Sequence, residues 1–400
     1  MNSLKRIVSS QLCTTRMGNL MRIASASHSF DVKWKENVRK AEKIVGYPTS
    51  FMNLRWLLED EVSTIASYIS KLIGSKHPMV DVARNVIQQS DITKWGLIVL
   101  LVSKAAGIRP EISEIEQDAL SGILHTQRSL AEITEMIKTG HQMHNTVMNV
   151  QQGDENYQSI HFGNKIALLS GDYLYSKSFK DLAVLNNNDL NEIIATSIRD
   201  LSEAEFLEPR DKYNRPLPSK MDWKKYTESI KSASDKEPYE VGRFLGIAEE
   251  EWMLRTLLGG VSLLAKACKG ALMLGGHPEE LQKRAFDLGR SIGLAWQLQE
   301  DIKPFEGEND LPFSLTNALV MMHLTDDPDM YELIQQPNCP YEEIRELVRY
   351  GLAIDRALDL QSDLYTEAAQ ALKGFPTNEA HQCLLEMINT LTSSYDLPSN

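Results

Sequence analysis

The chain has 400 residues, of which 42% are hydrophobic and 24% charged, the proportions of a globular protein with a sizeable core. A formal charge of −13 argues against a nucleic-acid partner, because phosphate binding draws on clustered Lys and Arg. The longest uninterrupted apolar run, 97–102, is core-sized, well short of the roughly 20 residues a membrane helix needs. Cys13, Cys268, Cys339 and Cys383 lie far apart with no paired spacing, so neither a zinc site nor a disulfide framework is expected and a reducing compartment is the simplest reading.

The N-terminal stretch carries Lys5, Arg6, Arg16 and Arg22 among Ser and Thr, with no acid before Asp31. Basic, Ser-rich and acid-free describes a mitochondrial transit peptide, and no apolar segment of secretory length follows the basic residues. The reading is a leader over 1–33 and a mitochondrial matrix location, with a single helical domain over 34–400.

From there the chain reads as helix. Apolar residues recur at three- and four-residue spacing through 51–72, 97–106, 115–150, 165–185, 190–206, 241–274, 281–302, 341–372 and 379–391, the period of an amphipathic helix. Alternating strand-like segments are absent, and Gly259-Gly260 and Gly275-Gly276 are isolated pairs rather than phosphate loops. The fold class is all-α, one large bundle. Two stretches interrupt it. The segment 208–240, with Pro209, Pro216, Pro218 and Pro238 among polar residues, predicts a polar insertion that is either mobile or a docking loop. The segment 304–312, PFEGENDLP, ends the helix carrying Glu300 and Asp301.

Three segments carry a resemblance. LAEITEMIKTGHQMHNTVMNV (130–150), GNK (163–165) with LSGDYL (169–174), and GRSIGLAWQLQEDI (289–302) are similar, in order and spacing, to the trans-isoprenyl (polyprenyl) diphosphate synthases. The resemblance implies the isoprenoid-synthase helical bundle. It also implies two aspartate-rich motifs that hold Mg2+ against an allylic diphosphate. That chemistry asks for hard oxygen ligands and a Lewis acid to neutralise the departing diphosphate. Carboxylates at i, i+1 and i+4 lie near one helix face.

Here the motif is degenerate. Its first three aspartates align with Asn145, Thr146 and Asn149, and its second three with Glu300, Asp301 and Pro304. The basic segment expected at 91–96 reads DITKWG, and the diphosphate-clamping Lys-Thr pair aligns with Gly259-Gly260. A Gly-Glu-Phe-containing stretch becomes 204–208, AEFLE, and the Arg-Arg-Gly after the first motif gives way to Gly153-Asp154-Glu155. Amides and a hydroxyl cannot hold Mg2+ against water as carboxylates do, so no catalytic residue and no firm metal ligand is assigned.

Asp172, Gln297, Glu300 and Asp301 remain as residual diphosphate or metal contacts. Their alternatives are a paired structural role for Asp172, a core hydrogen bond for Gln297, and acids near a helix C-terminus for the other two. His141 and His144 share a helix face but have no evident third ligand. Met136, Met143 and Met148 read as packing.

The segment 41–58 and the neutral first motif after His144 resemble the second subunit of heteromeric decaprenyl or solanesyl diphosphate synthases. That resemblance implies a non-catalytic or regulatory subunit that is inactive alone. It implies a catalytic partner subunit holding the Mg2+ and the prenyl diphosphates, and a product that becomes the ubiquinone side chain. The alternatives are a prenyltransferase active alone through unusual metal ligation, and a helical scaffold unrelated to prenyl chemistry. Ile166, Leu169 and Tyr173 on one helix, with Ile194 and Ile198 on the next, are the expected partner interface.

Overall fold

The computed structural model describes residues 30–46, 77–79, 95–109, 122–150, 153, 156–222, 224–225, 241–306 and 311–392. Among them the chain is helical and forms no β-strand beyond one isolated bridge between Arg210 and Pro216. The helix expected over 51–72 lies outside the described residues, as does the front of 115–150. The helices are α1 (30–45), α2 (Trp95–Ala106), α3 (His125–His144), α4 (Tyr157–Val184), α5 (Asn188–Glu205), α6 (Ala248–Thr256), α7 (Ser262–Leu274), α8 (Glu279–Ile302), α9 (Ala318–Asp326), α10 (Met330–Ile334), α11 (Tyr341–Tyr350), α12 (Ala353–Leu372) and α13 (Glu379–Thr392).

The centre is α7, which packs on α2, α3, α5 and α8. Small residues make this possible. A side chain at Gly289 would stand 2.9 Å from the Ala265 Cα, and one at Gly270 would meet Leu190 and Leu130. With α6 and an intervening π-turn (Leu257–Val261), α7 forms a kinked stretch, Ala248–Leu274, long and apolar enough to cross a membrane. That departs from the sequence expectation, which considered uninterrupted runs only. However, 78% of its apolar window is buried inside the fold, so its apolarity is that of a central core helix. One polar cluster interrupts this core. The buried Asp200 of α5 accepts from Lys266 Nζ at 2.6 Å, Ser262 Oγ at 2.5 Å and Arg199 Nη2 at 2.7 Å. Burial would raise its pKa, but these donors outweigh burial and hold it below the usual carboxylate range.

Helix ends are fixed locally. Asn187 caps α5 by accepting from the Leu190 N–H at 2.9 Å, and Asn317 caps α9 by accepting from Leu319 N–H at 2.9 Å. The periodic stretch 341–372 is two helices, because the chain leaves helical geometry at Gly351. The apolar run beginning at Ala318, which strict periodicity passes over, is the buried helix α9. The described part of the 208–240 insertion is tethered rather than free. Arg255 reaches the carbonyls of Glu208 (3.1 Å) and Leu217 (3.3 Å), and Ser219 N–H donates to Glu251 at 3.2 Å. Cys268, Cys339 and Cys383 are free thiols.

The helix over 30–45 bears on the expected boundary at 33. Phe30 and Trp34 are buried, and their rings lie 6.1 and 4.9 Å from that of Trp296 on α8. Midway along it, Asn37 Nδ2 donates to Thr390 of α13 at 2.7 Å. Removing a leader that ends at 33 would take the buried Phe30 out of this packing. Phe30→Ala in the full chain should destabilise it by about 3–5 kcal/mol, the usual result of truncating a buried aromatic. Denaturant unfolding measures this, and a loss below ~1 kcal/mol would return Phe30 to the leader.

Candidate functional site

The first motif does not stand on a helix. α3 ends at His144, and Asn145, Thr146 and Val147 form tighter turns, their N–H groups donating to His141, Met143 and His144 carbonyls. The reading of helix through residue 150 is therefore wrong at this end. The reason is local competition: polar side chains here bond to nearby backbone instead of continuing the helix. Asn145 Nδ2 donates to His141 Nε2 at 3.0 Å, and Thr146 Oγ1 donates to the Met143 carbonyl at 2.6 Å. Asn149 is exposed. Asn164 of α4 holds the following loop at two points. Its Oδ1 accepts from Met148 N–H at 2.8 Å and its Nδ2 donates to the Met148 carbonyl at 2.7 Å. His77, buried beside Gly163, contacts the same Asn164 oxygen at 3.0 Å.

The Asp172 carboxylate sits 3.2 Å from His144 Nε2, and the same nitrogen faces the Leu168 carbonyl at 3.2 Å. The His144 ring lies where a side chain at Gly171 would be, 2.3 Å from an ideal Cβ. Gly171 is thus required for α3 and α4 to approach through this imidazole. His141 is pushed down to about 4, chiefly by burial and then by His144, and is neutral near pH 7. It accepts from Asn145, which engages one ring nitrogen and disfavours a metal-chelating role.

The second motif is equally occupied. Glu300 pairs with Lys303 at 2.6 Å, and that ammonium lies 5.9–6.0 Å from the Trp296 and Phe30 ring centres. Asp301 is surrounded by donors: Trp252 Nε1 and Ala318 N–H each reach Oδ2 at 2.8 Å, and Gln297 Nε2 reaches Oδ1 at 2.8 Å. Its carbonyl accepts from Asn317 Nδ2 at 2.9 Å. Despite these bonds, burial pushes Asp301 up to about 6, with Glu300 adding to the rise. Pro304 is buried, and its carbonyl accepts from Arg345 at 2.7 Å.

The segments that should clamp diphosphate have also changed character. Residues 91–94 and 154–155 lie outside the described residues. Trp95 lies against Gly260, at the kink of the π-turn, and Lys138 Nζ stands 4.4 Å over its ring. In 204–208, Arg210 binds the Ala204 carbonyl at 3.1 Å and the Glu205 carboxylate at 3.4 Å.

These residues do not fit Mg2+. An octahedral hard cation needs converging ionised oxygens. Among the described residues no three His, Cys, Asp or Glu groups converge. Of the two surviving acids, one is ion-paired and the other is filled with N–H donors. Asp172, Gln297, Glu300 and Asp301 each have a partner within the chain, and no step of metal-assisted ionisation is derived from them. Sequence reasoning missed Trp252 and His77, which match no motif, and gave Trp95, inside the aligned 91–96 segment, no role of its own. Asn164 lay inside the recognised GNK segment, but its side-chain bonds are long-range and have no local signature.

The interface expectation divides. Ile166 and Ile194 are buried in the chain's own core, while Tyr173 and Ile198 are half-buried against it. Ile166 and Ile194 are therefore core positions, on faces turned toward α3 and α7, while Tyr173 and Ile198 keep part of their surface in solvent. Leu169 is 56% exposed, and with Leu168, Phe179 and Val184 it forms the outer face of α4.

Comparison with known proteins follows this geometry. No family model matches the chain. The human all-trans-polyprenyl-diphosphate synthase PDSS2 is 34% identical over 374 residues, covering 90% of this chain and 87% of the human one. The chain belongs to the all-trans-polyprenyl diphosphate synthase family. A probable mitochondrial hexaprenyl pyrophosphate synthase of Neurospora crassa is 26% identical over 83% of this chain and 79% of its own. A polyprenyl synthase from Caulobacter crescentus, solved with calcium and isoprenyl diphosphate, superposes with a TM-score of 0.55. It is 18% identical over 89% of this chain and 97% of its own, and it shows the isoprenoid-synthase bundle shared across this family.

The raised Asp301 pKa makes a signed prediction. A folded-state value of about 6 against an ordinary aspartate value of 3.8 means the native state binds the proton more tightly. The group's stabilising contribution is then full below pH ~4 and is lost as pH rises through about 6. Between pH 4.5 and 7.5 the stability of the wild type relative to Asp301→Asn should fall by about 2 kcal/mol. Urea unfolding across that range measures it, and a flat difference would show an ordinary carboxylate.

Proposed function

We propose that this chain is the non-catalytic subunit of a heteromeric all-trans-polyprenyl diphosphate synthase. In this reading it acts in the mitochondrial matrix, where the complex makes the ubiquinone side chain from isopentenyl diphosphate and an allylic diphosphate. The observation that carries the reading is the saturation of Asp301 by Trp252, Gln297 and Ala318, in a family whose chemistry needs such carboxylates ionised and open. The metal then belongs to a catalytic partner subunit, which supplies Mg2+ to the allylic diphosphate. The mitochondrial designation of the Neurospora relative and the basic, acid-free N-terminal segment support the compartment.

The partner would dock on the outer face of α4. Leu168, Leu169, Phe179 and Val184 are exposed along this side of the helix, among polar residues that are also exposed, a mixed surface of the kind interfaces cover.

Purified alone with Mg2+, isopentenyl diphosphate and an allylic primer, the chain should form no product. The triple variant Asn145→Asp, Thr146→Asp, Asn149→Asp should stay inactive, because it leaves Asp301 engaged and the clamps unrestored. Product from the wild type alone would favour an enzyme with unusual ligation. Co-purification with an unrelated protein and with no synthase would favour a scaffold.

Leu169→Asp should keep its helical circular dichroism but weaken association with the catalytic subunit by about a hundredfold or more, since burying an unpaired carboxylate costs several kcal/mol. Ile194→Asp, inside the core, should unfold instead. Unchanged binding by the folded Leu169→Asp chain would move the interface elsewhere.

A further inference from the structure

The two segments aligned with diphosphate clamps, 91–96 and Gly259-Gly260, are distant in sequence but touch through one side chain. Gly260 adopts φ +152 in the π-turn, a conformation that side-chain-bearing residues rarely take. A Cβ there would stand 2.8 Å from the Trp95 indole. The indole therefore rests on bare backbone that only glycine could present. Its ring is covered by the Lys138 ammonium at 4.4 Å, a distance at which an ammonium is attracted to an indole face. On the other side of the turn, Val261 packs against Gly293 of α8, so the turn cannot retreat from the ring. Trp95 itself is held from behind, because the next residue's N–H donates to the buried Glu135 carboxylate at 2.9 Å.

We propose that the Trp95 indole is a resident occupant: it fills, within this chain, the pocket between α2, α3 and the 257–261 turn. The two segments that meet there are the ones the sequence resemblance aligns with diphosphate clamps. The proposal rests on the reading of this chain as a non-catalytic synthase subunit and adds a second barrier to it. Loss of cations weakens the attraction for a diphosphate, while the indole removes the room for one. An aromatic side chain on glycine backbone under a cation is self-satisfied, so restoring charge at neighbouring positions does not expel it. The exclusion is steric and independent of any metal.

The test is chemical complementation in the full chain. Trp95→Ala should lower the thermal midpoint by several degrees. Millimolar free indole should then restore roughly half or more of the loss, as apolar cavities take up small aromatics and bound ligands stabilise the folded state. Inorganic pyrophosphate at the same concentration should leave the wild type unmoved and raise the midpoint of Trp95→Ala by less than indole does. Should Trp95→Ala fail to fold, Trp95→Leu, which keeps an apolar filler but leaves part of the volume vacant, serves with the smaller probe benzene.

A folded variant that neither aromatic probe stabilises would overturn the proposal, because no pocket would then lie beneath the ring. A pyrophosphate-induced rise in the wild type would overturn it equally, because the pocket would be open with the indole in place. Product formation by the wild type alone would sink the non-catalytic reading through a different readout.

Discussion

The structure turns on a carboxylate surrounded by N–H groups. Asp301 closes α8, and its oxygens accept from an indole on α6, an amide on α8 itself and the first backbone N–H of α9. A metal-binding carboxylate needs open lone pairs facing a cavity. This one spends them joining three helices, and burial offsets enough of the gain to leave it readily protonated. Because Asn317 also bonds the Asp301 carbonyl while capping α9, the start of α9 is set by the same residue. Pro304 follows from this arrangement. With the third acid unnecessary, a helix breaker there lets the chain turn through Phe305 into the core and offers Arg345 a carbonyl.

The first motif has moved in the same direction by other means. Neutral side chains at 145, 146 and 149 impose no mutual repulsion, so the backbone is free to leave the helix and be sewn to α4 through Asn164. Three aspartates in that turn would repel one another without a cation. Both motif regions thus act here as connectors between helices.

α4 shows how two faces of one helix can take different roles. Its inner face is shaped by close approach, with Gly171 giving room to the His144 ring and Gly140 lying near the Gly171 carbonyl. Its outer side keeps Leu168, Leu169, Phe179 and Val184 in solvent.

The sequence by itself determined the helical class, most helix positions, the family and the loss of the motif acids, because these depend on local periodicity and on which residue types can ligate a cation. It reached Asn145, Thr146, Asn149, Glu300 and Asp301 by alignment. It did not reach their partners. Trp252 lies 49 residues from Asp301 and carries no motif, and Trp95 meets Gly260 only because α2 and the π-turn are brought together by packing on α7. Periodicity also misread the α4–α5 stripe. A helical face marks residues as apolar but does not say whether another part of the same chain already covers them, so Ile166 and Ile194 went to the core and Leu169 to the surface. That partition is a property of three-dimensional neighbours, and only the tertiary structure decided it.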